Sequence, residues 1–299
     1  MAIQIVFLIV MFLLGILPIF AQSGPSVSYY AVTWSPDSKY LSFTRMEMSD
    51  GQPRKMKADI YVMRPDGTEM KKITGDEAEE FAPSWSKDGR RIYFGSSAGG
   101  GKVSNIYSTK TDGSDLRQLT KDSGHNASPV VSPDGKWIIY NAEAVEHKPQ
   151  IYIVKTDGSG VRALTNDPSL AFYNPSWSPD GKRIVYYVEK GDQKDQVWVM
   201  NSDGSDPTLL TGGVGHNFYP SWSADGGQII FSSDRDGGER AIWTMNPDGT
   251  KIRRLDAVPS FYARYSPDGK KIVYIAGKFP KTAIVVANAD GSNPVTITK

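Results

Sequence analysis

A short turn motif, Ser-Pro-Asp-Gly or a close variant, recurs six times and constrains the fold more than any other feature of the chain. The fullest copy spans 174–186 and reads Asn-Pro-Ser-Trp-Ser-Pro-Asp-Gly-Lys-Arg-Ile-Val-Tyr. The aspartates of the six copies recur every 43 to 51 residues, at Asp37, Asp88, Asp134, Asp180, Asp225 and Asp268. This period matches a four-stranded propeller blade and is too long for most two-helix repeats.

Each copy of the motif is predicted to be the turn of a β-hairpin. The proline presets φ for the first corner of a type I turn, aspartate suits the second corner, and glycine takes the following position at positive φ. Short apolar segments flank the turn, as at 175–177 and 183–187. About twenty residues later each unit has a second turn, at Gly67, Gly113, Gly158, Gly204, Gly249 and Gly291. After that turn a short fourth strand is predicted to end in an Ile-Thr, Leu-Thr or Leu-Asp pair. Each unit therefore holds four strands and two hairpin turns.

These units predict an all-β chain, a six-bladed β-propeller of four-stranded antiparallel blades that occupies residues 22–299. No helix longer than two turns is expected after residue 24. Each blade is contiguous in sequence, so we expect apolar packing of blade one against blade six to close the ring, at its weakest junction. Residues at the tryptophan position of the motif are expected to pack between blades: Trp34, Trp85, Val131, Trp177, Trp222 and Tyr265.

Two segments show the repeat especially well: 219–226, which reads Tyr-Pro-Ser-Trp-Ser-Ala-Asp-Gly, and 242–250, which reads Ile-Trp-Thr-Met-Asn-Pro-Asp-Gly-Thr. In these segments the chain resembles the propeller repeat of TolB and its relatives. The resemblance covers about residues 29–299 and implies a TolB-like propeller without the α/β domain that precedes it in TolB. It implies little about function, since similar propellers occur in periplasmic binding proteins, peptidases and polysaccharide lyases.

Residues 1–21 are almost wholly apolar and are followed by a polar segment. Such a run is long enough to span a bilayer, so a transmembrane anchor is one interpretation. We favour a cleaved signal peptide, because Ala21 offers a small residue before the cut and Gly15 and Pro18 interrupt a helix just upstream. The run has no Lys or Arg to orient its insertion, which leaves the anchor open. Either way we expect a periplasmic or secreted propeller, with membrane contact only if the segment is uncleaved.

Composition excludes several classes of partner. The chain has 34 Lys and Arg against 33 Asp and Glu, and no long basic block. Nothing therefore points to nucleic acid or to an anionic membrane surface. Cysteine is absent, which excludes disulfides and thiolate chemistry. We expect a monomer.

Two insertions depart from the repeat period. The first unit carries the segment 46–57 between its second and third strands, and the second unit carries the flexible segment 96–102 at the corresponding place. Both are predicted to be surface loops. Such loops either carry function or are simply solvated hairpin ends.

The loop that leads into each innermost strand is predicted to lie at one rim of the central channel. Alignment of the units places two His-Asn pairs at equivalent positions there, with aromatic residues at the next levels. Aromatic faces beside a few oriented polar groups suit sugars, peptides or protein side chains. The predicted ligand-binding residues are His125, Asn126, Phe172, Tyr173, Asn174, His216, Asn217, Phe218, Tyr219, Phe261, Tyr262 and Arg264. Alternatively, the aromatic members plug the channel.

The sequence gives little support for a metal or a catalytic centre. His125, His216 and Glu79 have the ligand chemistry of a divalent metal site, but they belong to different blades and lack an evident convergent arrangement. The chain has three His and no Gly-x-Ser-x-Gly nucleophile elbow. We therefore predict no cofactor, no metal and no catalytic residue.

Two functions of different class remain. The leading hypothesis is a non-enzymatic propeller that binds a protein, peptide or glycan at its channel rim. The competing hypothesis is a lyase or hydrolase that acts on an acidic polysaccharide. Such a lyase needs cations to neutralise the uronate and a base to take the α-proton. Arg264 is the one basic residue predicted at this rim, and Glu79 and Glu80 would repel the substrate, which favours binding.

Overall fold

The computed structural model describes residues 26–49, 56–75, 78–98, 103–121, 124–143, 148–191, 193–256 and 259–298. These residues form six four-stranded antiparallel sheets, each built from strands that are consecutive in sequence. The innermost strands contact one another around a ring, and that of blade one contacts those of blades two and six. The prediction of an all-β, six-bladed propeller with contiguous blades is confirmed.

The first three blades follow one another from the start of the described chain. Blade one consists of β1 (Ser26–Trp34), β2 (Leu41–Met48), β3 (Met56–Met63) and β4 (Lys71–Lys72). Blade two consists of β5 (Glu80–Trp85), β6 (Arg91–Ser96), β7 (Asn105–Lys110) and β8 (Arg117–Gln118). Blade three consists of β9 (Asn126–Val131), β10 (Trp137–Glu143), β11 (Pro149–Lys155) and β12 (Arg162–Ala163).

The last three blades repeat this plan. Blade four consists of β13 (Ala171–Trp177), β14 (Arg183–Glu189), β15 (Gln196–Asn201) and β16 (Thr208–Leu209). Blade five consists of β17 (Asn217–Trp222), β18 (Ile229–Ser233), β19 (Ala241–Met245) and β20 (Arg253–Arg254). Blade six consists of β21 (Ser260–Tyr265), β22 (Lys271–Lys278), β23 (Lys281–Asn288) and β24 (Val295–Thr296).

The turn between the first and second strands uses the residues of the repeated motif as predicted. In blade four the Gly181 N–H donates to Ser178 O at 2.9 Å, and Gly181 has a φ of 69°. The Ser178 hydroxyl donates to Asp180 Oδ1 at 2.6 Å and accepts from the Arg183 N–H at 2.9 Å. The hydrogen bond from Ser178 holds the pKa of Asp180 below its ordinary value. The recurrent Ser and Asp thus stabilise the turn.

The fourth strand is shorter than predicted. It spans two residues in each blade and ends before the Ile-Thr or Leu-Thr pair that was expected to close it. The side chain that follows the strand instead accepts a hydrogen bond from a third-strand N–H, as from Ile60 to Thr74 Oγ1 at 3.0 Å. The same bond recurs at Thr120, Thr165, Thr211, Asp256 and Thr298. A side-chain oxygen therefore takes the place of one backbone ladder bond.

The core lies between neighbouring blades. Trp177 packs with Ile139 and Ile151 of blade three and with Ile184 of its own blade. Its indole N–H donates to Val130 O at 3.2 Å. The four motif tryptophans are 5% to 9% exposed, and Val131 and Tyr265 also pack against inter-blade clusters. The predicted inter-blade role of this position is confirmed.

The junction between blades one and six uses hydrogen bonds as well as the apolar packing that was expected. The Thr282 hydroxyl accepts from the Tyr29 N–H at 2.7 Å and donates to Tyr29 O at 2.9 Å. The Trp34 indole donates to Arg264 O at 3.3 Å. Tyr30 and Tyr262 are in ring contact, with centroids 5.2 Å apart. That this junction is the weakest in the ring stays a prediction.

The two insertions are described only in part. In blade one the paired strands extend further than predicted, with Met46 opposite Ala58 and Met48 opposite Met56, so much of the expected loop is hairpin. The rest of that insertion, most of 96–102 and the apolar N-terminal segment lie outside the described residues. Within the described ranges, no helix has the length and apolar character needed to cross a membrane.

Candidate functional site

The two ends of the central channel carry different connections. We call the end with the loops that lead into the innermost strands the loop face, and the end with the two turns of each blade the turn face. Each innermost strand contains a β-bulge, where one residue has a φ of 47° to 58°: Ala31, Ala82, Ser128, Asn174, Tyr219 and Tyr262. A bulge re-aims the side chains around it. Positive φ is rare for tyrosine, so packing must hold Tyr219 and Tyr262 in place.

An aromatic cluster from blades one, four, five and six fills the channel, and we call it the plug. Its members are Tyr30, Tyr173, Tyr187, Phe218, Tyr219, Phe261 and Tyr262, with neighbouring ring centroids 5.1 to 6.4 Å apart. All seven are buried, and Tyr219 has no exposed surface. Of the two interpretations of these aromatics, the geometry favours the plug. Phe172 lies elsewhere, in the core between blades three and four.

Burial disfavours the charged form of three phenols of the plug. Burial raises the pKa of Tyr219 to about 12 and that of Tyr30 well above its ordinary value. Burial also raises the pKa of Tyr187, and the neighbouring Tyr219 and Tyr173 add to the shift. These phenols are therefore structural, and a ligand at the loop face would not meet Tyr219 in this arrangement.

The two asparagines of the His-Asn pairs are buried within the fold. Asn217 donates to Val214 O at 3.0 Å and Gly215 O at 2.9 Å, and accepts from Ser233 at 2.8 Å. Asn126 donates to Thr120 Oγ1 at 3.1 Å and to Asn105 Oδ1 of blade two at 3.2 Å. Both are fully buried. Their geometry is that of loop anchors rather than of ligand contacts.

His216 lies at the mouth of the channel on the loop face. Its Nδ1 is 2.9 Å from Asp195 Oδ2, and its ring stacks on Phe218 with centroids 5.8 Å apart. The His216 side chain is 42% exposed, whereas that of Asp195 is 13% exposed. Arg240 covers the same aromatic residue, with its Cζ 4.3 Å from the Phe218 centroid. Burial raises the pKa of Asp195, and the hydrogen bond with His216 opposes that shift.

Carboxylates from three segments converge beside this histidine. Burial raises the pKa of Tyr173, and Glu189, Asp195 and Glu143 each raise it further because they are close to its hydroxyl. Burial raises the pKa of Glu189, with Asp195 adding to the effect. The Tyr173 side chain in turn opposes the rise in the pKa of Glu189. Tyr173, Glu189, Asp195 and His216 are hereafter the mouth cluster.

Two other residues considered at this rim are His125 and Glu79. His125 is half-buried and lies in a bridge to Ser104. Glu79 is half-buried, and burial raises its pKa. Among the residues that the structure describes, no group of three or more His, Asp or Glu is arranged to hold a metal ion.

Two predicted site residues face the other end of the channel. Arg264 and Asn174 line a cavity of about 170 Å³ on the turn face, beneath the plug, rather than the mouth on the loop face where they were expected. A larger groove of about 680 Å³ lies between blades one and two on the same face. The channel therefore has two separate ends, divided by aromatic side chains.

The repeats match the family model for the TolB β-propeller domain over residues 23–195 and 144–299. The chain belongs to the TolB β-propeller family. The expected resemblance is thus confirmed, and it carries the fold of the family. Members of known structure with this repeat include both binding proteins and enzymes, so membership alone does not set the activity.

Solved structures with the same fold superpose over most of the chain. A protein assigned as TolB from Agrobacterium tumefaciens is 25% identical, with a TM-score of 0.71 over 81% of this chain and 89% of that one. TolB from Acinetobacter baumannii is 19% identical, with a TM-score of 0.70 over 92% of this chain and 64% of that one. An oligogalacturonate lyase in complex with manganese is 14% identical, with a TM-score of 0.62 over 92% of this chain and 78% of that one, and shares the fold alone.

A further sequence match is local. Dipeptidyl-peptidase 5 of Porphyromonas gingivalis is 36% identical over 66 residues, which are 22% of this chain and 10% of that enzyme. The matched segment thus represents about a tenth of the relative's length.

Sequence reasoning missed the carboxylates of the mouth cluster. Glu189 is the last residue of β14 and Asp195 lies just before β15. The two residues therefore flank the connection between the second and third strands of blade four. The sequence analysis missed these two carboxylates because it considered the loops that lead into the innermost strands. The repeat period could have indicated these residues. In every blade the loop between the second and third strands emerges on the same face as the loop that leads into the innermost strand.

Proposed function

We propose that this chain is an exported, non-enzymatic propeller that binds a segment of a partner protein, or a peptide, at the mouth on the loop face. The observation that carries the proposal is the mouth cluster, where an exposed imidazole is paired with Asp195, and Asp195 and Glu189 act on the phenol of Tyr173. Aromatic faces beside oriented polar groups are typical of binding sites on propellers and other rigid scaffolds.

The charges of the mouth cluster favour a basic segment. The raised pKa values of Glu189 and Asp195 reflect the free-energy cost of partly burying their charge. A Lys or Arg side chain of a partner would offset that cost and donate hydrogen bonds to the carboxylates. A uronate chain would instead meet like charge at this mouth.

Export rests on the apolar N-terminal segment, residues 1–21, which lies outside the described residues. The signal-peptide interpretation and a periplasmic or secreted location are therefore part of the same proposal. They are checked by the N-terminal sequence of the protein recovered from the periplasm or medium.

A lyase or hydrolase is the second candidate, and the His216–Asp195 pair is the observation that favours it. A histidine held by a carboxylate can act as a general base. The pair lies within a carboxylate cluster, which suits a neutral or cationic substrate better than an acidic polysaccharide. A glycan array with neutral and acidic members, followed by product analysis, distinguishes this candidate from simple binding.

The binding proposal is tested by titration with a defined probe. The probe is the tightest-binding member of an array of ten-residue peptides that vary in Lys and Arg content. We expect the double variant His216→Ala and Glu189→Gln to weaken its binding by about 2 kcal/mol or more, as hot-spot residues do. The melting temperature should stay nearly unchanged, because both side chains lie at the mouth rather than in the core.

The matched control is Glu239→Gln, which removes a carboxylate that is exposed on blade five and paired with Lys278. It should leave the affinity within about twofold, since exposed ion pairs contribute little. Equal affinity of the double variant and the parent would contradict the proposal and move the site away from the mouth cluster.

A further inference from the structure

The turn-face end of the channel contains a small cavity to which all six blades contribute. Its volume is about 170 Å³, and Tyr262 of the plug is among its lining residues. The position two residues after each bulge faces it, and this position holds Thr33, Ser84, Val130, Ser176, Ser221 and Arg264. Four of the six blades therefore offer a hydroxyl, and blade six alone offers a cation.

Arg264 is held rigidly but keeps much of its donor capacity. Its Nη1 donates to Ala263 O at 2.8 Å and to Tyr219 O at 3.2 Å. Its Cζ lies 4.2 Å from the centroid of the Tyr262 ring, which fixes the plane of the guanidinium. No carboxylate lines the cavity, and within the described part of the chain none forms an ion pair with Arg264.

A second, independent observation concerns the buried side chain of Asn174. It is only 3% exposed, it lines the same cavity, and its Oδ1 accepts no hydrogen bond from the residues that the structure describes. Burying an unpaired amide is unfavourable, and the equivalent bulge positions of blades one and two hold Ala31 and Ala82. The fold alone therefore does not require a polar side chain at this position.

We propose that this cavity binds a carboxylate. The free edge of the Arg264 guanidinium matches the two oxygens of a carboxylate, since the fork geometry permits paired hydrogen bonds. Rotation of the Asn174 amide turns its NH₂ group towards the same ligand, and the hydroxyls of Ser176 and Ser221 add donors. A single cation suits a monoanion, and the cavity has room for about five waters or a ligand of similar size.

Such a carboxylate has two possible sources, a free small organic acid or the C-terminal carboxylate of a peptide that enters from the turn face. The test uses propanoate and N-acetylglycylalanine as probes, each beside its amide counterpart. Binding is followed by NMR titration of the backbone amides of Ser176 and Ser221. We expect at least one carboxylate probe to bind and its amide to bind at least about tenfold more weakly.

Each test variant installs the residue that other blades carry at the equivalent position of the repeat. Arg264→Ser installs the residue type of the equivalent positions in blades two, four and five, and we expect it to weaken carboxylate binding at least about tenfold. Asn174→Ala installs the residue of blades one and two and should weaken binding about threefold or more. The control Arg253→Ser removes an exposed cation of blade five and should leave binding unchanged.

Each outcome decides the proposal. Binding of the peptide alone, or of propanoate alone, supports it and identifies the source of the carboxylate. Equal binding of acid and amide, unchanged binding in both Arg264→Ser and Asn174→Ala, or no binding of either acid up to ~10 mM would overturn it.

Discussion

Trp177→Ala is expected to lower the free energy of unfolding by about 3 to 5 kcal/mol, the usual cost of removing a large buried aromatic side chain. Trp177 is 9% exposed and packs with Ile139, Ile151 and Ile184 across the junction of blades three and four. Its loss would leave a cavity between two blades and remove the indole hydrogen bond to Val130 O. Because each blade contacts only its neighbours, cooperativity of the ring should suffer as well.

The measurement is chemical denaturation followed by circular dichroism, with Trp177→Phe as the matched variant. Phenylalanine keeps most of the apolar volume and removes the indole N–H, so it should cost clearly less than alanine. If Trp177→Ala melted within a degree or two of the parent protein, Trp177 would not be part of the inter-blade core.

Glu80→Gln is expected to stabilise the protein at neutral and alkaline pH. Glu80 is 6% exposed, and burial raises its pKa to about 8, with nearby Asp59 adding to the shift. Blades three and five carry Asn126 and Asn217 at the equivalent position, so a neutral amide fits this site in the repeat. Glutamine supplies that amide without the cost of burying a charge, and the expected gain at pH 8 is about 3 to 5 kcal/mol.

The sign of the pH dependence follows from the direction of the shift. Since the pKa of Glu80 is higher in the folded state than in the unfolded state, the folded protein binds more protons between the two values. Its stability should fall as pH rises from about 4.5 towards 8. The Gln variant should lack this part of the slope and match the parent below pH 4.

Denaturation curves at several pH values check the result, with Glu47→Gln as a control because Glu47 is exposed and paired with Arg45. The control should leave the slope unchanged. A Glu80→Gln variant less stable than the parent at pH 8 would show that the fold stabilises the charged form of Glu80, which contradicts a raised pKa.

The repeated motif predicted the fold well because its turn residues and its tryptophan position act locally and indicate the same structure in every copy. The turn at Ser178, Asp180 and Gly181 forms from its own residues, and the tryptophan position packs in the same way in every blade. Six copies of one local rule leave little freedom for the topology. The fourth strand was predicted too long because a side chain such as Thr74 replaces a backbone hydrogen bond of the ladder. The strand propensity of the residues does not predict such a replacement.

The site was predicted less well, because its geometry depends on contacts around the ring. The bulge at Tyr219 adopts a φ of 52°, which no rule for tyrosine anticipates, and turns the ring into the plug. Asn217 looks like a ligand contact in the sequence, yet its side-chain NH₂ group donates to backbone oxygens of the fold, those of Val214 and Gly215 among them. Only His216 and Tyr173 of the predicted set lie in the mouth cluster.

The roles of Arg264 and Asn174 show the same limit. The sequence placed them with the loop-face residues, because the register of an ideal strand does not include a bulge. The bulge re-aims the side chains around it, and those of Arg264 and Asn174 line the turn-face cavity beside Tyr262 of the plug. Ligand binding by any of these residues stays a prediction.

The most direct test of the account is a hydrogen-exchange footprint of the array-selected peptide bound to the intact protein. We expect added protection in the loops that hold the mouth cluster, around Glu189–Asp195 and in the segment that leads to His216, with the turns of the opposite face unchanged. Protection confined to the turn face, or spread evenly over the ring, would contradict a binding site at the mouth on the loop face.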